Sequence, residues 1–374
     1  MVRKALLAAL ELPKQEFDTS VLLEELKLLL ENLGIETVGT AVQKRDKQDP
    51  AFLVGKGKAE ELGLFCKSSG ATLIVCNDSL SPGQKSSLQK CTGVEVWDRP
   101  FVIMKIFEKR AATSEAKLQV EMALCKYEIP HLKGLGAQMS RLGGGIGTRG
   151  PGETEFERHR RKLERRVRDI GKKLELLKRK RSLQRDRRRK MNIPVVSLVG
   201  YTNSGKSSLL RVLSRDLSLV AENRLFSTLD TFMRKVRLPS GREILLSDTV
   251  GFIRDLPPGL VAAFRTTLEE IETSSFLVIV LDASAPDLYE IKGVVEKTLS
   301  EIGAGKIPRL LALNKADLLD ADPLEMICSR LLDSGEAAVS TSAVLGTGIP
   351  EFLDLLDAFL QKTETASGEG DVER

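Results

Sequence analysis

Residues 200–207 read Gly-Tyr-Thr-Asn-Ser-Gly-Lys-Ser, the G-x-x-x-x-G-K-S spacing of a phosphate-binding loop. Its glycines, Gly200 and Gly205, let backbone N–H groups curl around phosphate oxygens. Tyr201, Thr202, Asn203, Ser204 and, just beyond the motif, Ser208 complete the candidate cradle. Lys206 supplies a cation for the outer phosphates, and Ser207 offers a hydroxyl to a magnesium ion. Further motifs follow in the order a guanine-nucleotide site requires. Asp248-Thr-Val-Gly251 comes after an apolar run. Its aspartate can hold a magnesium shell through water, and Gly251 can swing its N–H toward a terminal phosphate. Asn314-Lys315-Ala-Asp317 also ends an apolar run. A carboxylate there accepts two hydrogen bonds from the guanine N1–H and amino group. Adenine would leave Asp317 unpaired. Ser342-Ala343 can bring a backbone N–H to the guanine oxygen. Thr228, between the first helix and the second strand, can complete the magnesium shell. Singly, Asp248 and Asn314 could simply end strands and Thr228 could be a loop residue. Together they describe a site for GTP or GDP with Mg2+. The candidate catalytic set is Lys206, Asn203, Thr228 and Gly251. The candidate metal ligands are Ser207, Thr228 and Asp248.

Two residues refine this chemistry. Phe252 follows Gly251, where many GTPases carry a glutamine that orients the attacking water. Phenylalanine cannot do so, which predicts slow turnover without a partner or an extra cation. The side-chain oxygen of Asn203 could hold K+ against the phosphates, or could instead stabilise the loop by a hydrogen bond.

The motifs need strands and helices to present them. Strands are predicted at 194–199, 235–238, 243–247, 276–281, 308–313 and 337–341. Helices are predicted at 206–214, 260–272, 287–303, 323–334 and 350–361. The pattern over 192–363 is that of a doubly wound α/β phosphate-loop domain, followed by a disordered tail at 364–374. Residues 1–112 read as a separate α/β domain on a parallel sheet. Its strands are expected at 5–11, 36–42, 51–54, 72–76 and 94–97, and its helices at 21–32, 59–68, 82–91 and 101–109. Gly55-Lys-Gly-Lys58 lacks the full phosphate-loop spacing and reads as a tight turn. The apolar start of the chain meets Glu11 and Lys14 too early for a signal peptide and suits a first strand.

Residues 113–191 read as an antiparallel helical hairpin. A first helix at 114–127 should stop at Pro130. A mobile connector at 131–152, holding eight glycines, should follow. Gly145-Ile-Gly-Thr-Arg-Gly150 matches a dinucleotide motif but lacks the strand that must precede one. A long helix at 153–190 carries Leu163, Val167, Ile170, Leu174 and Leu177 at alternating spacings of four and three, a heptad seam.

Composition sets the limits. The chain has 374 residues, 42% of them apolar and 5% aromatic, so its cores rest on aliphatic side chains. Five scattered cysteines, Cys66, Cys76, Cys91, Cys125 and Cys328, form no C-x-x-C pair. That argues for a reducing compartment and against a zinc site. Two histidines leave little room for histidine-based catalysis. No apolar run reaches the length of a membrane span. The net charge of +5 conceals a split: residues 157–190 hold 18 Lys/Arg against 5 Asp/Glu, so that segment is +13 and the remainder −8. Five acids cannot neutralise eighteen bases. With aromatics nearly absent there, contact with the phosphate backbone of folded RNA is expected rather than base stacking.

The chain resembles the HflX family of ribosome-associated GTPases from about residue 20 to residue 362. The resemblance rests on Ser140-Arg-Leu-Gly-Gly-Gly-Ile-Gly-Thr-Arg-Gly-Pro-Gly-Glu-Thr154 and on Asp248-Thr-Val-Gly-Phe-Ile-Arg-Asp-Leu-Pro257. Leu260-Val-Ala-Ala-Phe264, Thr267-Leu-Glu-Glu270, Lys117-Leu-Gln-Val-Glu121 and the phosphate loop add to it. It implies a cytoplasmic, monomeric protein that binds the large ribosomal subunit and its RNA. It also implies that the protein splits or rescues stalled ribosomes, with hydrolysis coupled to release. The N-terminal domain and the hairpin would face the ribosome. A hydrophobic residue at Phe252 fits the family. Where the family continues Pro-Thr after Thr-Leu-Asp, this chain has Thr231-Phe232, which brings in Thr231 as a second candidate magnesium ligand; the match to the family's Phe-x-Thr-Leu core favours Thr228. Some members carry a further C-terminal domain, and functions resting on it are expected to be absent. The rival readings are a GTPase of subunit assembly and an RNA-binding scaffold with a nucleotide switch.

Overall fold

The computed structural model describes residues 2–15, 17–142, 151–190, 193–216, 226, 232–254 and 270–368, with side chains left out at 133–142, 151–155, 184–190 and 363–368. The chain divides into two compact units, the first running to Leu177 and the second beginning at Lys178.

The first unit alternates β1 (Arg3–Glu11), α1 (Thr19–Leu33), β2 (Ile35–Lys44), α2 (Lys56–Ser69), β3 (Leu73–Cys76), α3 (Pro82–Thr92), β4 (Glu95–Asp98) and α4 (Arg99–Arg110). Its sheet has the order β2-β1-β3-β4, and every pairing is parallel. The unbroken apolar run Ala5–Leu10 is buried throughout, as a central parallel strand covered on both faces requires. Helix boundaries follow local chemistry. Asp18 caps α1, Ser81 and Gln84 form a reciprocal capping box on α3, and Asp98 caps α4. Under the helices, Arg99 is 2% exposed and is balanced by Glu25 at 2.6 Å and Asn77 at 3.1 Å.

One expected strand is absent. Residues 51–54 form a turn closed by an isolated Asp49–Leu53 bridge. The Asp49 carboxylate accepts from the N–H groups of Ala51 and Phe52, both at 2.9 Å, and this local turn replaces sheet pairing. Helix α2 then starts at Lys56, so Gly57 and Lys58 belong to its first turn.

The hairpin helices are longer than expected. Helix α5 (Ser114–Leu142) runs through Pro130, and α6 (Pro151–Lys190) begins two residues earlier than the predicted start. The expected connector at 131–152 is therefore helical at both ends, and residues 143–150 lie outside the described set. Proline removes only one donor from a helix of this length. Just beyond it, the His131 ring Nδ1 lies 2.6 Å from the Tyr127 carbonyl. Ile170 and Leu174 of the heptad seam are buried, and the Arg166 guanidinium grips the Glu121 carboxylate at 2.6 and 2.8 Å. On helix α5, Ala116, Val120 and Ala123 are buried.

The second unit contains β5 (Val195–Val199), α7 (Lys206–Ser214), β6 (Phe232–Arg237), β7 (Glu243–Asp248), β8 (Phe276–Asp282), α8 (Leu288–Glu301), β9 (Arg309–Asn314), α9 (Ala321–Asp333), β10 (Ala338–Ser340) and α10 (Ile349–Gly368). The sheet order is β10-β9-β8-β5-β7-β6, parallel except for the antiparallel edge strand β6. Its core joins Val196, Leu198, Val278 and Val280 to Leu209 and Leu213 of α7 and Phe352 and Leu356 of α10. Strand β6 starts at Phe232, earlier than the predicted 235, because it pairs with β7 as far as Asp248. Helix α10 continues to Gly368 through part of the expected disordered tail, where residues 364–367 include neither glycine nor proline. Of the helix expected at 260–272, residues 270–272 are helical and 260–269 lie outside the described set. Among the described residues, no helix is long and apolar enough to cross a membrane.

Candidate nucleotide site

The carboxyl ends of β5, β7, β8, β9 and β10 deliver the site residues to one edge of the sheet. Such an edge is where open α/β sheets bind ligands. Strand β5 feeds Gly200–Gly205, and α7 begins at Lys206. Gly205 is its N-cap with φ +94°, a conformation that side chains rarely adopt. A Cβ there would also collide with the Asn314 amide. The first-turn N–H groups of α7 and the positive end of its dipole make this terminus a natural anion site.

Lys206 is 6% exposed, and its Nζ donates to the carbonyls of Gly200 at 3.1 Å and Tyr201 at 2.8 Å. Burial pushes its pKa down to about 8, with Asp248 opposing the shift. Ser207 Oγ donates to Asp248 Oδ2 at 2.6 Å. A hydroxyl and a carboxylate meeting at the mouth of a phosphate loop form a hard oxygen donor set of the kind Mg2+ takes. Asp248 is 1% exposed at the end of β7. Thr228 and Thr231 lie outside the described residues.

The loop and the segment after β7 are zipped together. Thr202 N–H donates to Phe252 O at 2.8 Å, and Phe252 N–H donates to Gly200 O at 3.0 Å. Gly251 is pressed so close that a Cβ would lie 2.8 Å from Thr202 Cα. Phe252 itself is 2% exposed, which turns its ring away from solvent. Asn203 crowns the loop with φ +64° and an exposed side chain.

Asn314 stitches the candidate base-recognition loops to the phosphate loop. Its Nδ2 donates to Ser204 O at 2.9 Å, and its Oδ1 accepts from Ala343 N–H at 3.1 Å. Ser342 N–H donates to Thr347 O at 2.9 Å. Both N–H groups considered for the guanine oxygen are thus engaged, and Ala343 would reach a base by sharing or exchanging its bond to Asn314. Lys315 has φ +62° and donates to Asp282 Oδ2 at 2.6 Å. Asp317 lies in a 3-10 turn, Ala316–Leu318, with its carboxylate exposed. Ser208 sits half-buried in the first turn of α7.

Sequence reasoning missed Asp282, Asp287 and Arg254. The available signal for the last was a single charge ending the buried run Val250-Gly-Phe-Ile253.

A parallel sheet with this loop and these base-recognition motifs defines the P-loop GTPase class. Family profiles match in three blocks: a GTP-binding GTPase N-terminal region at 21–108, a GTP-binding GTPase middle region at 110–188 and a 50S ribosome-binding GTPase at 195–315. The GTPase HflX of Caldanaerobacter subterraneus subsp. tengcongensis is 49% identical over 321 residues, covering 86% of this chain and 74% of that protein. The GTPase HflX of Escherichia coli K12 is 38% identical over 347 residues, covering 93% of this chain and 79% of its own length. The chain belongs to the HflX family of GTPases. The crystal structure of the SsGBP–GDP complex, 24% identical with a TM-score of 0.50, covers 96% of this chain and 99% of that one and shares the fold.

Proposed function

We propose that this chain binds GTP with Mg2+, hydrolyses it to GDP and phosphate, and couples the cycle to splitting or rescue of stalled ribosomes through the large subunit. The observation that carries the nucleotide reading is the joint placement of Lys206, Ser207, Asp248 and Asn314 around one loop. On nucleotide arrival Lys206 leaves the carbonyls of Gly200 and Tyr201 for the outer phosphates. The N–H groups at the start of α7 surround the phosphate oxygens. Ser207 and Asp248, with Thr228 or Thr231, would hold Mg2+, which neutralises charge on the outer phosphates when bound. Asp317 accepts from guanine N1–H and the amino group. Gly251 N–H faces the terminal phosphate as water attacks the γ-phosphorus and the bond to the bridging oxygen breaks.

Phe252 orients no water, so turnover by the chain alone is slow. Asn203, exposed at the crown of the loop, is free of core packing and suits a K+ ion that would supplement the missing charge. That role fails if hydrolysis is equally fast in KCl and NaCl at one ionic strength.

The ribosome reading is supported by the family and by α6. Intrahelical pairs Arg161–Glu157 at 2.9 Å and Arg160–Glu164 at 3.5 Å use acids already counted in the balance, so the net +13 of residues 157–190 stands. Lys162, Arg165, Arg168, Lys172 and Lys173 all lie at exposed positions. Ribosome binding should weaken steeply with salt. Replacing Arg185, Arg187, Arg188 and Arg189 together should lower ribosome pelleting without altering GTP binding.

The deciding experiment measures GTP turnover alone, with intact ribosomes, with large subunits, with precursor particles and with naked RNA. Strong stimulation and subunit dissociation by intact ribosomes support the proposal. Stimulation by precursor particles alone would instead indicate subunit assembly. No stimulation would indicate an RNA-binding scaffold.

A further inference from the structure

Arg254 follows the Asp248–Gly251 motif and is 3% exposed. A guanidinium removed from water is costly unless it is paired. Arg254 ion-pairs with Asp287 at the start of α8 and reaches Glu290, one turn into that helix, at 3.7 Å. Its guanidinium lies 5.7 Å from the Tyr201 ring centroid, and its backbone N–H donates to the Tyr201 hydroxyl at 2.9 Å.

These contacts have a direction. Tyr201 belongs to the phosphate loop, and its carbonyl holds Lys206. Phe252, two residues before Arg254, is zipped to Gly200 and Thr202, and Gly251 beside it is pressed against Thr202. The loop that ends at Asp287 begins at Asp282, the partner of Lys315 in the base-recognition motif. Arg254 therefore ties the segment carrying Gly251 both to the phosphate loop and to a strut that reaches the base-recognition loop.

We infer that Arg254 is a positioning residue for sensing the terminal phosphate: its grip on Asp287 and Tyr201 holds Gly251 in reach of that phosphate. The inference rests on the guanine-nucleotide reading of the site. GDP lacks the group that Gly251 would contact, so the effect falls on the triphosphate state alone.

The test compares affinities for GDP and for a non-hydrolysable GTP analogue, both with Mg2+, in the full chain. Arg254→Ala should retain GDP affinity and weaken analogue binding about tenfold, within the usual range of coupling between linked sites. Arg254→Lys keeps one cation but loses the fork and should recover part of the difference. Asp287→Asn is nearly isosteric and leaves Glu290 in place, so it reports even if Arg254→Ala fails to fold. Its ratio should shift in the same direction by a smaller factor. Equal loss for both nucleotides, or no change of the ratio in Asp287→Asn, would overturn the role and leave Arg254 as packing only. Failure of the wild-type chain to bind either nucleotide would overturn the underlying site assignment as well, and is distinguishable for that reason.

Discussion

Lys206 offers a quantitative handle on the site, because its burial leaves it titrating within a practical pH range. Without nucleotide its pKa is lowered from the ordinary lysine value of 10.5 to about 8, and burial is the main cause. Phosphate oxygens favour the ammonium form, so a bound nucleotide must raise that pKa again. Binding above pH 8 therefore requires uptake of a proton. At pH 7.0 about a tenth of the free protein carries a neutral lysine, and at pH 8.5 about three quarters does. Uptake on binding Mg-GDP should rise from about 0.1 to about 0.75 proton, with affinity about fourfold weaker at the higher pH. Calorimetry in two buffers of different ionisation enthalpy at each pH measures this directly, below the range where guanine N1 ionises. The sign for folding is opposite. The folded pKa lies below the unfolded value, so the unfolded chain holds more protons between pH 8 and 10.5, and this lysine makes nucleotide-free stability rise across that window. Proton uptake that is equal at pH 7.0 and 8.5 would refute the idea that Lys206 waits on backbone carbonyls in a desolvated site.

Other perturbations separate the parts of the molecule. Gly205→Ala forces a side chain into φ +94° and against Asn314, and should cost about 1–3 kcal/mol in urea unfolding while abolishing measurable GDP binding. Asp317→Asn replaces an acceptor with a group that suits xanthine, so GTP affinity should fall about a hundredfold or more while xanthosine triphosphate gains in competition binding. Arg99→Met leaves Glu25 buried and uncompensated, and should destabilise the first unit by about 3–5 kcal/mol. Protease cutting between residues 2 and 110 would report that loss, while nucleotide affinity in the second unit should hold.

The nucleotide site was legible because its chemistry is written in short contiguous runs. A phosphate loop needs glycine at positions where Cβ would strike backbone or Asn314, and lysine where phosphate charge collects. Local sequence records both demands. The order of apolar runs likewise carried the parallel strands of both sheets, since strands covered on both faces must be largely apolar. Boundaries were less legible. Pro130 lies inside α5, because a long helix tolerates one missing donor. Residues 51–54 are apolar enough for a strand, yet the Asp49 side chain captures the N–H groups a sheet would have used. Arg254 and Arg99 escaped notice because what makes them costly, burial, and what balances them, Asp287, Tyr201 and Glu25, lies 33 to 74 residues away.

The position of Tyr201 connects the motif that sequence shows to the contacts it hides. In the loop signature it occupies an unconstrained x position, so the pattern assigns it no task. In the structure its carbonyl holds the Lys206 ammonium and its hydroxyl takes the Arg254 N–H. On the proposed reading, nucleotide phosphates would compete for the first of these bonds by drawing Lys206 forward. The second ties the same residue to the segment that carries Gly251. Removal of the hydroxyl by Tyr201→Phe leaves the carbonyl and the ring in place, so Lys206 should keep its proton linkage while discrimination between GDP and the GTP analogue declines. A variant that lost both together would mean that the loop moves as one rigid piece. Loss of discrimination alone would show that the side chain of an otherwise unspecified loop residue carries information from one phosphate contact to the next.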